Sequence, residues 1–247
     1  MRKTLFALGL FASFSGMAQH SPSGLADVPF TGNPLQSTYM TNLISQPLKV
    51  FERNGVSGSP YHSEEFKAGV VKLKNGYTEK NVPVRFNIFN NEMEFKMNGK
   101  ELVLDSMDLV IYLDKAWDST SVKMFKAGYP AVGDNKETTI YEVIVMGSKA
   151  HLIKRTIQRI EDEKTMGYAD KKVLNTYTSL YLYNPETKAM VKLKDKKVEE
   201  QLSATFPALA QVMDKIVKEK KLNLKKEAEL GELLTDYNNL QETKKGF

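Results

Sequence analysis

Apolar and polar residues alternate along most of the chain from Phe66 to Leu113, and pairs of turn-forming residues interrupt the alternation at Asn75-Gly76, Asn90-Asn91 and Asn98-Gly99. Val71 and Leu73 alternate with Lys72 and Lys74 before the first pair; Val84, Phe86 and Ile88 alternate with Arg85 and Asn87 after it. Met93, Phe95 and Met97 then alternate with Glu92, Glu94, Lys96 and Asn98, and Leu102 and Leu104 follow the second Asn-Gly. A period of two places one set of side chains on one face of a strand, so these runs predict strands buried on one side and wet on the other. Asn-Gly pairs suit two-residue hairpin turns, whose central residues take positive φ. The grammar is that of an antiparallel meander.

The same signals continue downstream. Residues 107–113 and 121–125 read as strands around a loop, Asp114 to Thr120, that holds Trp117. Thr139 to Met146 is apolar on both faces and predicts a central strand; Ala150 to Ile160 follows, with Glu161, Asp162, Glu163 and Gly167 expected to form a loop. Val173 to Tyr183 is β-branched and aromatic, and Met190 to Leu193 closes the series. Nine to eleven strands follow from this pattern, at the spacing of about 8–12 residues expected of a sandwich or barrel.

After Lys194 the period lengthens. Val198 and Leu202 fit a short helix, Pro207 suits the first turn of a second, and Leu209, Val212, Met213, Ile216 and Val217 fall on one face of it. A third helix shows Leu230, Leu233, Leu234, Tyr237 and Leu240 on one stripe. The expected fold is therefore mainly β (α+β overall): an antiparallel meander forming a sandwich or open barrel, with two to three C-terminal helices packed on it. In chain order, an export signal (1–18) and a turn-rich lead-in (19–60) precede the β domain (61–194) and its helices (195–242).

The N-terminus carries Arg2 and Lys3, an uncharged apolar core from Leu5 to Phe14, and small residues Gly16 and Ala18 before Gln19. That is the layout of a cleavable secretory signal peptide, and its apolar core is about half the ~20 residues that a spanning helix needs. A periplasmic or extracellular location is expected after cleavage at Ala18/Gln19. The chain has no cysteine, so disulfides, thiol nucleophiles and thiolate metal sites are excluded, and stability rests on an apolar core. Cleavage would lower the net charge from +5 to +3, too little to favour nucleic acid as a partner.

Candidate chemistry is sparse. His20, His62 and His151 lack metal-ligand spacing, and Gly55-Val56-Ser57-Gly58-Ser59 lacks the nucleophile-elbow pattern. No Gly-rich phosphate loop occurs, and neither Asp105–Asp118 nor Glu161–Glu163 has the layout of a calcium loop. No catalytic residue, metal or cofactor is expected from these motifs. Tyr177, Tyr181 and Tyr183 share one face of their strand and, with Trp117, form the candidate ligand-binding set. The competing reading is aromatic packing beneath a helix.

At residues 58–76 (GSPYHSEEFKAGVVKLKNG), 84–95 (VRFNIFNNEMEF) and 233–240 (LLTDYNNL) the chain resembles a family of uncharacterised secreted proteins of Gram-negative envelopes. The resemblance implies export and a β-rich body with a helical C-terminus, and no activity. The leading functional expectation is a non-catalytic binding or structural envelope protein with an envelope-protein partner. The alternatives are a carrier of a lipid or other apolar ligand, held between the sheet and the helices and lined by Met93, Met97, Met107 and Met124, and a glycan hydrolase with dispersed carboxylates.

Overall fold

The computed structural model describes residues 45–48, 55–115, 118, 121–163 and 171–240. The expected export signal, its cleavage point, His20, Trp117 and the tail from Thr243 lie outside the described residues.

The described strands are β1 (Ser45–Pro47), β2 (Val56–Ser57), β3 (Lys67–Leu73), β4 (Thr78–Asn87), β5 (Glu92–Met97), β6 (Lys100–Leu104), β7 (Met107–Leu113), β8 (Val122–Lys126), β9 (Tyr141–Met146), β10 (His151–Glu163), β11 (Lys171–Tyr183) and β12 (Met190–Lys192). They form one sheet in the order β1-β6-β5-β4-β3-β7-β8-β9-β10-β11-β12, antiparallel at each step, and β2 lies parallel to one end of β11. The sheet is open rather than closed, so the open-barrel alternative describes it better than a sandwich.

Local chemistry explains the hairpins. Asn98 and Gly99 both have positive φ (51° and 75°), as a two-residue turn between β5 and β6 requires. The Asn75-Gly76 turn differs from expectation: only Gly76 of the pair has positive φ. A four-residue connection closes there instead, with the Leu73 amide donating to the Tyr77 carbonyl at 2.8 Å and the Tyr77 amide to Asn75 Oδ1 at 3.0 Å.

The inner face of the sheet carries the main core. Val84, Phe86, Met93 and Phe95 from one limb and Phe125, Ala127 and Ile140 from the other belong to one buried cluster, so the sheet curls round on this face. Two ties draw the curl in without strand pairing. Asn91 bonds the backbone of Ile140. The segment that follows β2 also pairs with β4, through His62 N to Phe86 O (2.9 Å) and Ile88 N to Pro60 O (2.7 Å).

Beyond β9 the same inner face is covered by helices α1 (Val198–Thr205), α2 (Pro207–Ala210), α3 (Met213–Lys220) and α4 (Glu227–Asn239). Leu152 and Leu182 of the sheet pack with Leu202, Phe206, Leu209, Leu230, Leu233 and Leu234. Four helices replace the two to three expected. The expected second helix is interrupted after Ala210, where Val212, at φ −119°, donates to Leu209 O three residues back. Buried charges stand where the two inner cores adjoin: Glu142 accepts from Lys123 (2.6 Å) and pairs with Lys154 (3.0 Å), which also reaches Glu227 of α4 (3.0 Å).

The outer face has its own smaller core, where Tyr129 of the β8–β9 loop packs with Tyr141, Val143, Ile153 and Tyr181 of the sheet. Glu161 to Glu163, expected as loop, instead continue β10. Asp162 and Glu163 stand opposite Lys172 and Lys171, and opposite charges across a pair favour the extended ladder. The pairing of β10 with β9 ends at Lys154–Glu142, so the rest of β10 and its partner β11 run on as an arm, with β2 paired to Lys172 and Val173 at its far end.

Candidate functional site

A pocket opens on the outer face where this arm leaves the sheet. Its volume is about 350 Å³, and its wall includes Asp134, Asn135, Arg155, Arg159, Tyr181 and Lys192. Strand geometry places these groups together. Arg155 and Arg159 are four residues apart on β10 and therefore share a face with Ile153 and Ile157. Ser179 stands opposite Arg155, Tyr177 opposite Ile157, and Lys192 opposite Tyr181.

The floor is aromatic. Tyr141 and Tyr181 meet edge to face with ring centroids 5.6 Å apart, and Tyr129 packs edge to face on Tyr141, His151 and Tyr183. The β8–β9 loop forms one wall. Val132 and Asn135 exchange backbone hydrogen bonds of 3.1 Å, with Gly133 at φ 56° at the turn, and Asn135 Nδ2 donates to the Tyr181 hydroxyl at 2.9 Å. Burial pushes the Tyr141 phenol up to about 12, the neighbouring Tyr181 adding to the effect, so the Tyr141 hydroxyl stays protonated at physiological pH.

Arg155 is the unusual member. Its Nε is buried without a hydrogen-bond partner among the described residues, and Nη1 makes one long contact, 3.5 Å to the Ile140 carbonyl. Burial holds its pKa below the ordinary arginine value, although the neighbouring Tyr141 and Tyr181 oppose the shift. Arg85 shows what a satisfied arginine looks like in this protein. Its guanidinium bonds Glu94 at 3.0 and 2.5 Å, Glu101 at 3.2 Å and the Glu64 carbonyl at 3.3 Å, between the rings of Tyr61 and Phe66. Arg155 also borders a second cleft of about 560 Å³ at the end of the curl, where Glu92 leaves a buried oxygen without a partner.

The tyrosines singled out from the sequence occupy three settings. Tyr181 is 5% exposed and lines the pocket; Tyr183 packs in the aromatic cluster below it. Tyr177 lies out on the arm, 42% exposed, and donates to Glu161 at 2.6 Å beneath the Arg159 guanidinium. All three point away from the helices, because the alternate residues Leu180 and Leu182 face them. Trp117 lies outside the described residues. The methionines expected to share one cavity are divided: Met93 and Met107 are in the inner core, and Met124 is in the outer one.

Arg155, Arg159 and Lys192 escaped the sequence reading. The available signal was the interleaving of Arg155 and Arg159 with Ile153 and Ile157 at one parity, which sets two cations among apolar residues on that stretch of strand face. Among the described residues, no three His, Asp or Glu side chains are grouped to hold a metal ion, and no helix is long and apolar enough to cross a membrane. No family model, curated protein or solved structure matches the chain.

Proposed function

We propose that this is an exported, non-catalytic binding protein whose ligand site is the outer-face pocket at the root of the β10–β11 arm. The export part rests on the charged, apolar and small-residue pattern of residues 2–18. The binding part rests on one observation: the sheet brings the Tyr181 hydroxyl, an amide-lined wall and an incompletely bonded Arg155 to one concavity. A few polar groups converging on a partly apolar pocket are the usual make-up of a small-molecule site.

The carrier reading is supported by a different opening. A cavity of about 440 Å³ lies between β11, the segment that follows β12 and the helices, walled by Leu180, Leu193, Val198, Leu224 and Leu230 with Lys194 and Lys225 also in its lining. Asp195 and Glu227 balance those lysines, so the apolar wall alone, suited to an acyl chain, supports this reading.

The test is native mass spectrometry and hydrogen exchange on protein recovered from the cells that make it, with N-terminal sequencing of the recovered chain. A bound small molecule whose removal deprotects residues 132–135 and 179–181 supports the outer-face reading. Deprotection centred on Leu193 and Leu224 supports the carrier instead. Ligand-free protein from several growth conditions overturns both. A mature chain beginning at Gln19 supports export, and an intact Met1 in the recovered protein overturns it.

A further inference from the structure

On the reading that the outer-face pocket binds a ligand, its charges say which kind. Arg155, Arg159 and Lys192 line it against the single carboxylate of Asp134. None of the three cations forms a salt bridge among the described residues. Exposed cations elsewhere among these residues, such as Lys74 and Lys100, also lack one, so the contrast lies at the half-buried Arg155: Arg85 and Lys154, also withdrawn from water on the sheet, each have two carboxylates within 3.2 Å. Taking a guanidinium out of water is costly unless its donors are met. The protein meets that cost fully at Arg85 and only with one 3.5 Å contact at Arg155.

We infer that the pocket takes a small organic oxyanion, its carboxylate or phosphate group seated against Arg155 between Arg159 and Lys192. A planar guanidinium offers paired donors that match two oxygens of either group, which a lysine ammonium does not. The neighbouring Ser179 and Tyr181 hydroxyls, the Asn135 amide and the apolar edges of Val132 and Ile157 suit a polar, hydroxylated body. At about 350 Å³ the cavity admits a molecule of about monosaccharide size and excludes a long acyl chain. The two arginines lie on the β10–β11 ladder, so strand pairing sets their spacing on the face.

Isothermal titration calorimetry on the mature chain, with inorganic phosphate, citrate and glucose as probes at low and at physiological salt, decides it. Phosphate or citrate should bind saturably and more weakly at the higher salt, with glucose silent. The stronger of the two anions identifies the group, phosphoryl or carboxylate. Arg155→Met should weaken binding at least tenfold, and Arg159→Gln and Lys192→Gln about threefold to tenfold each. If Arg155→Met does not fold, the other two variants carry the test, since both side chains are exposed. Absence of saturable anion binding up to about 10 mM, or binding indifferent to Arg159→Gln and Lys192→Gln, overturns the inference. A neutral molecule found on this face in the native protein overturns the anion inference and leaves the outer-face reading standing; a face bare in the native protein removes that reading as well.

Discussion

Asn91 serves as a strand partner for Ile140: its Nδ2 donates to the Ile140 carbonyl at 3.1 Å, and its Oδ1 accepts from the Ile140 amide at 2.9 Å. A single side-chain amide thereby pins the β4–β5 turn to the entry of β9, across a curl that no strand ladder closes. Asn91 also sits at φ 56°, where asparagine is tolerated better than most residues. Asn91→Ala should lower stability by about 2–4 kcal/mol in urea unfolding, through two lost bonds and a less suitable residue in the left-handed region. Asn91→Asp keeps the acceptor but turns a carboxylate oxygen onto the Ile140 carbonyl, so it should also destabilise at neutral pH, and protonating that oxygen at low pH should recover part of the loss.

A second asparagine fixes the last helix. Asn238 of α4 accepts from the Lys149 and Ala150 amides (3.0 and 2.9 Å) and donates to the Ala150 carbonyl (2.9 Å). It fits only because residue 147 is glycine: a Cβ there would lie 2.2 Å from Asn238 Cγ. Gly147→Ala should therefore destabilise by about 2–4 kcal/mol. In an Asn238→Ala background most of that extra cost should disappear. A double-mutant cycle in urea reads the coupling, and additive effects would break the assigned link.

Arg85 and Glu94 are 9% and 1% exposed, and Asn87 adds a 2.9 Å bond to Glu94. Arg85→Met leaves a buried carboxylate without its cation and should cost about 3–5 kcal/mol. The pair Arg85→Met with Glu94→Gln should cost less than the sum of the single changes. Thermal and urea unfolding of the four proteins measures this.

His151 is buried against Tyr129 and Tyr183, with Nδ1 2.9 Å from the Tyr129 hydroxyl and Nε2 3.1 Å from the Gly147 carbonyl. Burial, with a smaller contribution from Lys126, lowers its pKa to about 4, although the Gly147 carbonyl opposes the shift. Above the unfolded value of about 6.5 both states hold a neutral ring, and its pH-dependent contribution is zero. As pH falls from there towards 4 the unfolded chain takes up a proton that the folded chain refuses, so stability drops by up to about 3 kcal/mol. Urea unfolding from pH 8 to pH 4 should show this fall, and His151→Gln should flatten it. His62, whose pKa burial also lowers, adds a fall of the same sign.

The sequence by itself determined most of the strands and helices and their inward sides, though not the extension of β10 to Glu163 or the break after Ala210. Val84, Phe86, Met93 and Phe95 were legible as one face because strand side chains alternate strictly, and Asn98-Gly99 was legible as a turn because few residues accept its backbone. The helical stripe of Leu230, Leu233, Leu234 and Tyr237 was legible for the same periodic reason. These are local facts, set by geometry within a few residues. The tertiary structure decided what lies on either side of the later strands. Periodicity put Tyr177, Tyr181 and Tyr183 on one face but did not say that the helices would cover the other, through Leu180 and Leu182. Nor did spacing reveal that Arg155, Arg159 and Lys192 would meet around Tyr181. Their meeting depends on the register of three strands and on a loop folded over them, and register arises from pairing between distant segments, each of which carries only its half of the match.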